Sequence, residues 1–586
     1  MPSRVIPADG DVLPAQPRLH GHSDSEFVGT KSDDLTKSEE TSLYDAKQEL
    51  QPRPTANTLG DALLRLLRLR PQRVRPDPDA IATVESVYDG PFANEYAPHP
   101  KWENLHLFDP SFRWTYREER RVVRKTDIWI FLWVMVMFTA LDIDRMNLST
   151  ATADNLLGDL GLTQADYNLG NTLSKGFLIA ELPSQMIGKA LGVDVWLPIQ
   201  LIIFSAFATA QFAMNGRASF LALRFLIAFF QGGFIPDIIL YLSYFYSNSE
   251  MPIRIAFFFT ANFYTGTITG FAAVGLLKMR GIGGYAGWRW LFLIEGLVTL
   301  VVAIMSIFML APSPSQTKTR WRPNGIYTDH EAKIVVNRVI RDEPEKATMH
   351  NRQALSFSLL WKSFTDFDLY PFYLMGLVYG LPGTPVSNYF QLSMKGLGFS
   401  TTMANLLSVP NTILGIILLL LLVALSEAIN NRVWVAMLQN LWYLPIFIAL
   451  RTLPSPINPW TYFTLATLAL GAPYAHVSWV SRNSGSVRTR TVSASLYNMV
   501  NQASGIIGAQ LYQPSDAPRY FRGNSIILGI IAFNLLISYP GIYVYYKLRN
   551  AHKKRVWDAM TVDEQKHYLA TTKDDGCRRL DFRFTL

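Results

Sequence analysis

The stretch that decides the fold is Phe220 to Tyr246, FLALRFLIAFFQGGFIPDIILYLSYFY. It is long and apolar enough to cross a bilayer, since about 20 residues at 1.5 Å rise span the hydrocarbon core. Yet it carries Arg224, Gln231 and Asp237. A charge at the centre of a span costs roughly 2.5–3.5 kcal/mol on an insertion scale, so each needs a partner, a wet cavity or a function. Arg224 and Gln231 are seven residues apart, two helical turns, and share one face. Asp237, thirteen residues from Arg224, turns well away from that face at roughly 100° per residue. The implied arrangement is a solvated path for an anion along the Arg224 face, enclosed by the other hydrophobic segments.

Working outward, the 586 residues are 49% apolar and 17% charged. That is too apolar for an ordinary soluble enzyme and too charged for membrane throughout, so the charge belongs in tails and loops. The net charge of +8 does not point to nucleic acid, because the basic residues flank hydrophobic segments and orient them in a bilayer. The single cysteine, Cys577, excludes an internal disulfide framework and falls in a polar tail. The opening MPSRVIPADGDVLPAQPRLHG lacks the apolar core of a secretory signal. Residues 1–111 read as a disordered cytosolic tail. Within it, DALLRLLRLRPQRVR reads as a transient basic helix rather than a membrane-docking one.

Twelve segments pass the length and apolarity test, near 127–147, 167–189, 195–214, 219–245, 255–277, 290–311, 369–392, 402–425, 433–451, 459–480, 490–512 and 524–546. The longest polar gap separates the sixth from the seventh. The expected fold is therefore an all-α membrane protein of two six-helix halves, 112–311 and 367–546, with a linker 312–366 and a tail 547–586. The linker contains an amphipathic helix, DHEAKIVVNRVIRDEP. Arg117, Arg120, Arg121, Arg124 and Lys125 precede the first span, whereas 148–166 holds Asp154, Asp159 and Asp166 but no Lys or Arg. With Lys318, Arg320 and Arg322 in the linker and Lys547, Arg549, Lys553, Lys554 and Arg555 after the last span, both termini and the linker are expected in the cytosol.

Several intramembrane polar groups are candidates. Asp142, Asp144 and Arg145 end the first span, as a capping salt bridge or as part of a site. TLSKGFLIAELPSQ places Lys175 and Glu181 inside the second, with Pro183 as a kink. Lys175 could snorkel, but with Arg145 and Arg224 it would form an electropositive pocket in the outer leaflet. Arginine offers a planar fork for carboxylate, sulfate or phosphate, and lysine a point charge. Asp144 and Glu181 are the balancing anions, able to load a proton as substrate comes and goes, although Glu181 could equally satisfy backbone freed by Pro183. Asn388, Gln391, His476, Asn498, Asn501 and Gln502 are uncharged polar groups that interhelical bonding would explain. No P-loop, zinc-spaced His/Cys set or nucleophile elbow occurs, so neither an enzyme nor a cofactor is expected.

Further stretches carry a family resemblance: FDPSFRWTYREERRVVRKTD before the first span, LDIDRMNLSTA after it, AELPSQ on the second and RFLIAFFQGGFIPDIILYLSYFY on the fourth. YAGWRWLFLIEG at the sixth, LSEAINNR after the eighth, and WVSRNSGSVRTR with DAPRYFRGN around the eleventh continue it. From about Phe112 to Tyr546 the chain resembles the major facilitator superfamily, and within it the anion:cation symporters of the fungal allantoate permease branch. The resemblance implies twelve helices, alternating access, and proton-driven import of small anions across the plasma membrane by a monomer. It puts Asp144, Arg145 and Arg224 at positions used for coupling and anion binding, and Glu181 at the second-span acid. Together with the reading of the residues themselves, Arg145, Lys175, Arg224, Gln231, Asn388 and Gln391 are the expected substrate contacts, and Asp144, Glu181 and Asp237 the expected proton-coupling groups. Gln231 stands where the family usually has Glu, Asp237 where it often has Gly, and Lys175 where it has an apolar or small residue. Gln231 cannot titrate, so coupling moves to Asp144 or Asp237, or the chain is a uniporter or exchanger. The added cation and lost acid favour a compact anion such as a sulfur oxyanion or sulfonate. A vitamin or ureide carboxylate (pantothenate, nicotinate or allantoate) is the alternative.

Overall fold

A computed structural model describes residue 65 and residues 76–585, apart from 91–92, 175, 248–249, 348–360, 362–363, 430, 473–478, 480–482, 484–486, 518 and 573–575. It is built from helices. α1 (Tyr116–Thr126) starts on a capping box, Thr115 Oγ1 accepting from the Glu118 amide while Glu118 accepts from the Thr115 amide. A single π-turn, Asp127–Phe131, leads it into α2 (Leu132–Ala153). There follow α3 (Gln164–Leu173), α4 (Phe177–Leu191), α5 (Val193–Ala210), α6 (Arg217–Gln231), α7 (Phe234–Ser243), α8 (Met251–Leu276) and α9 (Gly287–Met309). After the linker helix α10 (Asp329–Asp342) come α11 (Tyr370–Tyr379), α12 (Gly383–Gly396), α13 (Val409–Ile429), α14 (Arg432–Arg451), α15 (Pro459–Leu470), α16 (Val487–Ala509), α17 (Phe521–Phe533) and α18 (Tyr539–Asp558).

Among the described residues, seven helices are long and apolar enough to cross a membrane, Arg217–Ser243 among them. Their outer faces are apolar and exposed, as at Leu132, Val301, Ile307, Ile417, Ile448 and Leu536, which suits lipid rather than water. The fourth segment is not the continuous helix expected. α6 ends at Gln231 and α7 restarts at Phe234, because Gly233 takes φ +80. A side chain is disfavoured at that φ, and a Cβ there would also meet Ser184 Oγ at 2.6 Å. The freed carbonyls are answered from neighbouring helices: Gln200 Nε2 donates to Gly232 O at 2.7 Å, and Gln185 Nε2 to Gly233 O at 3.0 Å.

In the first half α9 lies along α5 and α2. Gly296 permits this approach, since a Cβ would stand 2.7 Å from the Thr209 amide nitrogen. At the end of the bundle that carries the 148–166 connection, the tryptophan-rich turn is an anchor. Trp288 donates from its indole to Asp159 (2.9 Å) and from its amide to Asp154 (3.0 Å), and Arg280 pairs with both carboxylates. The halves meet where α8 packs on α13 and α4 on α16. The same end is closed across the halves by Tyr167 Oη donating to Asn388 O (3.2 Å), Tyr389 Oη donating to Asn168 Oδ1 (2.7 Å) and Gln510 Nε2 donating to Thr172 Oγ1 (3.3 Å).

The expected disordered tail through residue 111 is corrected from residue 76 onward. Ile81 bridges to Thr115, and Ala82, Tyr88 and Trp102 are buried, the last two against Val336, Ile340 and Ala347. The polar side of α10 grips this segment: Asn337 Nδ2 donates to Leu107 O (2.9 Å), Lys333 pairs with Asp109 (2.7 Å), and Arg341 bonds Val84 O, Pro110 O and Asp89. Isolated aromatics and side-chain-to-backbone bonds hold it, so it shows no hydrophobic period. The C-terminal tail likewise folds back. α18 runs on to Asp558, and Cys577 and Phe584 are buried against Phe372, Trp479 and Tyr546. Cys577 Sγ donates to Asp366 Oδ2, and burial pushes its thiol pKa up.

Two predictions follow from this packing. Gly296→Ala should destabilise the purified protein by about 1–3 kcal/mol, because the methyl meets backbone that cannot yield; thermal unfolding in detergent reads it. The Lys333 and Ser111 hydrogen bonds hold the Asp109 carboxyl down at about 2. A lowered carboxyl pKa stabilises fully above its unfolded value, about 3.9, and the stabilisation is lost as pH falls through the folded value. Protection factors across residues 105–114, corrected for the intrinsic pH dependence of exchange, should therefore be flat above about pH 4 and fall as pH drops toward 2.

Candidate functional site: a buried charge cluster beside a central cavity

A cavity of 440 Å³ lies between the halves. Its walls include Arg145 and Asn262 from the first half and Asn388, Gln439, Tyr443, Asn498, Asn501 and Gln502 from the second. A chamber of 110 Å³ adjoins it, lined by Asp144, Arg145, Ser174, Arg224, Ile227, Ala228, Gln231 and Gln502. Arg145 and Gln502 belong to both walls, so the two spaces are neighbours. A water needs roughly 10–15 Å³ of such space, so the chamber has room for an acid group. The cavity falls within the ~300–1,000 Å³ typical of small-molecule sites.

The chamber's charges are incompletely paired. Arg145 donates from Nε to Gln231 Oε1 at 2.9 Å and lies 3.6 Å from Asp142. Arg224 is buried, and its Nε and Nη1 meet no hydrogen-bond acceptor. Asp144 is buried beside it with both carboxylate oxygens unbonded. Arg224 and Gln231 line the chamber from one face of α6, two turns apart. A guanidinium with open donors at such a chamber is poised for a bidentate anion.

The other candidates go elsewhere. Glu181 accepts from Asn498 Nδ2 at 2.9 and 3.0 Å, a bond between the halves instead of the backbone contact that Pro183 would have invited. Asn388 lines the large cavity. Gln391 lines an adjoining 220 Å³ chamber with Asn405, Asn411 and Thr412, which shares Asn262 and Ser387 with the large cavity. Asp237 is also apart from the Arg224 chamber. The break at Gly232–Gly233 re-aims α7, and Asp237 accepts from Gln185 at 2.8 Å beside Gly188. Lys175 and His476 lie outside the described residues. Two groups escaped the sequence reading. Glu295 is buried on α9 near Asp144 and Asn147, with both oxygens unbonded. Its signal was a lone carboxylate in an otherwise apolar helix. Asn498 was legible only as a polar residue, since its partner lies 317 positions away.

Known proteins fit this architecture. The Major Facilitator Superfamily profile matches residues 132–509. The chain belongs to the Major Facilitator Superfamily. An uncharacterized transporter of Saccharomyces cerevisiae, YIL166C, is 39% identical over 515 residues, covering 85% of this chain and 95% of the relative. The MFS-type transporter efuF of Hormonema carpetanum is 25% identical over 419 residues, 69% of this chain and 83% of the relative. In fold, the chain is similar to the xylose transporter XylE from E. coli in a partially occluded inward open conformation: TM-score 0.51, 12% identity, 69% of this chain and 96% of that one. This superfamily member is thus a multi-pass membrane transporter and not an enzyme, with a small molecule as its cargo.

Asn498→Ala leaves the buried Glu181 carboxylate without its donors, a loss of about 1–3 kcal/mol. The expected outcome is a lower unfolding temperature, with Asn498→Asp lower still through like-charge repulsion.

Proposed function

We propose that this transporter imports small organic anions by alternating access of two six-helix halves, with a proton. The observation that carries the reading is Arg224, buried with open donors at a chamber it shares with Arg145. An acid group between these guanidinium groups would gain charge-assisted bonds. The substrate's body would lie in the 440 Å³ cavity against Asn388, Asn498, Asn501 and Gln502. A cavity of that size favours an anion with an organic body over bare sulfate. A sulfonate is the preferred class, and a vitamin or ureide carboxylate shares the same headgroup chemistry. Asp144, beside Arg224, is the coupling acid; Asp237 does not line the chamber and is held by Gln185, and Glu181 is the latch between the halves. The plasma membrane is the expected site of action.

Growth of cells lacking their own sulfate and sulfonate uptake, on single sulfur sources, tests the substrate class. Rescue on alkyl sulfonates supports the reading; rescue only on a carboxylate uptake panel moves the substrate to that class. Arg224→Ala and Arg145→Ala should each abolish uptake while surface expression persists, and normal uptake in both would make these cations structural. Uptake should rise as external pH falls and collapse with an uncoupler. Indifference to both would make the protein a uniporter or exchanger, as the uncharged Gln231 would allow.

A further inference from the structure

Gln231 cannot titrate, and Asp144 has a neighbour that has no assigned role. Glu295 sits on α9, one residue before the Gly296 contact that presses this helix against α5. It is 5% exposed and Asp144 is fully buried. None of the four carboxylate oxygens makes a hydrogen bond of ordinary geometry, with Thr299 standing beside Asp144 and Asn147 beside Glu295. The neighbouring hydroxyl, Thr299, donates to the Ala140 and Glu295 carbonyls instead. Asn147, wholly buried beside Glu295, also has both side-chain polar atoms unbonded.

The surroundings offer little other charge. α5 carries no titratable side chain beyond Asp194 at its start. α8 carries only Arg254, which pairs with Asp127, and Tyr264, which bonds Thr139 at 2.6 Å. α2 adds Asp142 and Arg145, which face each other. α3 adds Tyr167, whose hydroxyl donates to Asn388 O, and α6 adds Arg224. The local balance is therefore two carboxyl groups against the Arg224 guanidinium. Two ionised carboxylates crowded together in a dry interior repel strongly, and sharing a proton relieves this.

We propose that Glu295 and Asp144 form a carboxyl pair that binds one exchangeable proton, a role the uncharged Gln231 cannot fill. This deepens the anion-transport reading and rests on it. When no substrate is present, ionised Asp144 balances Arg224. An incoming acid group takes over the guanidinium, and Asp144 loses its counter-charge. A proton from water then adds to a carboxylate oxygen of the pair, giving a carboxyl hydrogen-bonded to its partner. Anion and proton thus load together, and loss of either releases the other, which is the reciprocity of linked binding.

The test uses the full-length protein, purified without substrate, and infrared difference spectroscopy of the protonated-carboxyl band during a pH titration. A band that titrates in the wild type and disappears in both Glu295→Gln and Asp144→Asn supports the pair. An unchanged band in Glu295→Gln overturns it. Should Glu295→Gln fail to fold, Glu295→Asp must keep the band with a displaced midpoint, and an unchanged titration in Asp144→Asn overturns the proposal. In reconstituted vesicles, Glu295→Gln should lose pH-driven accumulation of methanesulfonate by roughly tenfold or more, yet retain its counterflow exchange. Full pH-driven accumulation in that variant overturns the proposal. Failure of the wild type to move any tested anion defeats the transport reading instead, and the infrared result still decides the pair.

Discussion

A guanidinium cannot rest in the apolar interior of a membrane protein without an anion, and Arg224 is placed so that its anion is incomplete. Asp144 lies beside it without a salt bridge closing the gap, and two of its nitrogens find no acceptor. Removing a buried charge's partner ordinarily costs several kcal/mol, about 3–5 where a pair is broken. A protein that keeps such a group partly unmatched retains a site whose energy improves when a ligand arrives. The rest of the first half can be read as the scaffold that holds this imbalance in place.

That scaffold depends on close backbone approach. Gly296 brings α9 against α5, and Thr299, one turn after Glu295, donates to the Ala140 carbonyl one turn before Asp144, which places the two carboxyl groups on facing sides of α9 and α2. The break at Gly232–Gly233 lets Gln185 and Gln200 tie α4 and α5 to the middle of the fourth segment, fixing the α6 face that carries Arg224 and Gln231. Between the halves there are polar contacts, Glu181 with Asn498 and Tyr389 with Asn168 among them. Such bonds can be exchanged as the halves rock, whereas the apolar faces of α8 and α13 can stay in contact.

How much of this was legible in the sequence follows from what each feature needs. Hydrophobic length alone gave the membrane helices, and the seven-residue spacing of Arg224 and Gln231 correctly put them on one face. The meeting of Arg145 with Gln231, 86 positions apart, was not expected, because spacing within one helix says nothing about a partner on another. Glu295 was passed over because a single carboxylate in a span says nothing about which helix it faces. Asp237 was assigned to proton coupling as a carboxylate gained where the family often has Gly, although helical geometry already turned it off the Arg224 face; it bonds Gln185 and does not line the chamber. The ordered segment from residue 76 was missed since Tyr88, Trp102 and Trp114 are held by turns and arginine–carbonyl bonds, which leave no periodic trace.

The most direct measurement is a cryo-EM map of the full-length transporter with the anion selected by uptake. The account predicts density for its acid group between the guanidinium groups of Arg145 and Arg224, with the body extending toward Asn388 and Gln502. An acid group seated in the chamber around Gln391 and Asn411, with the Arg224 chamber empty, would contradict it.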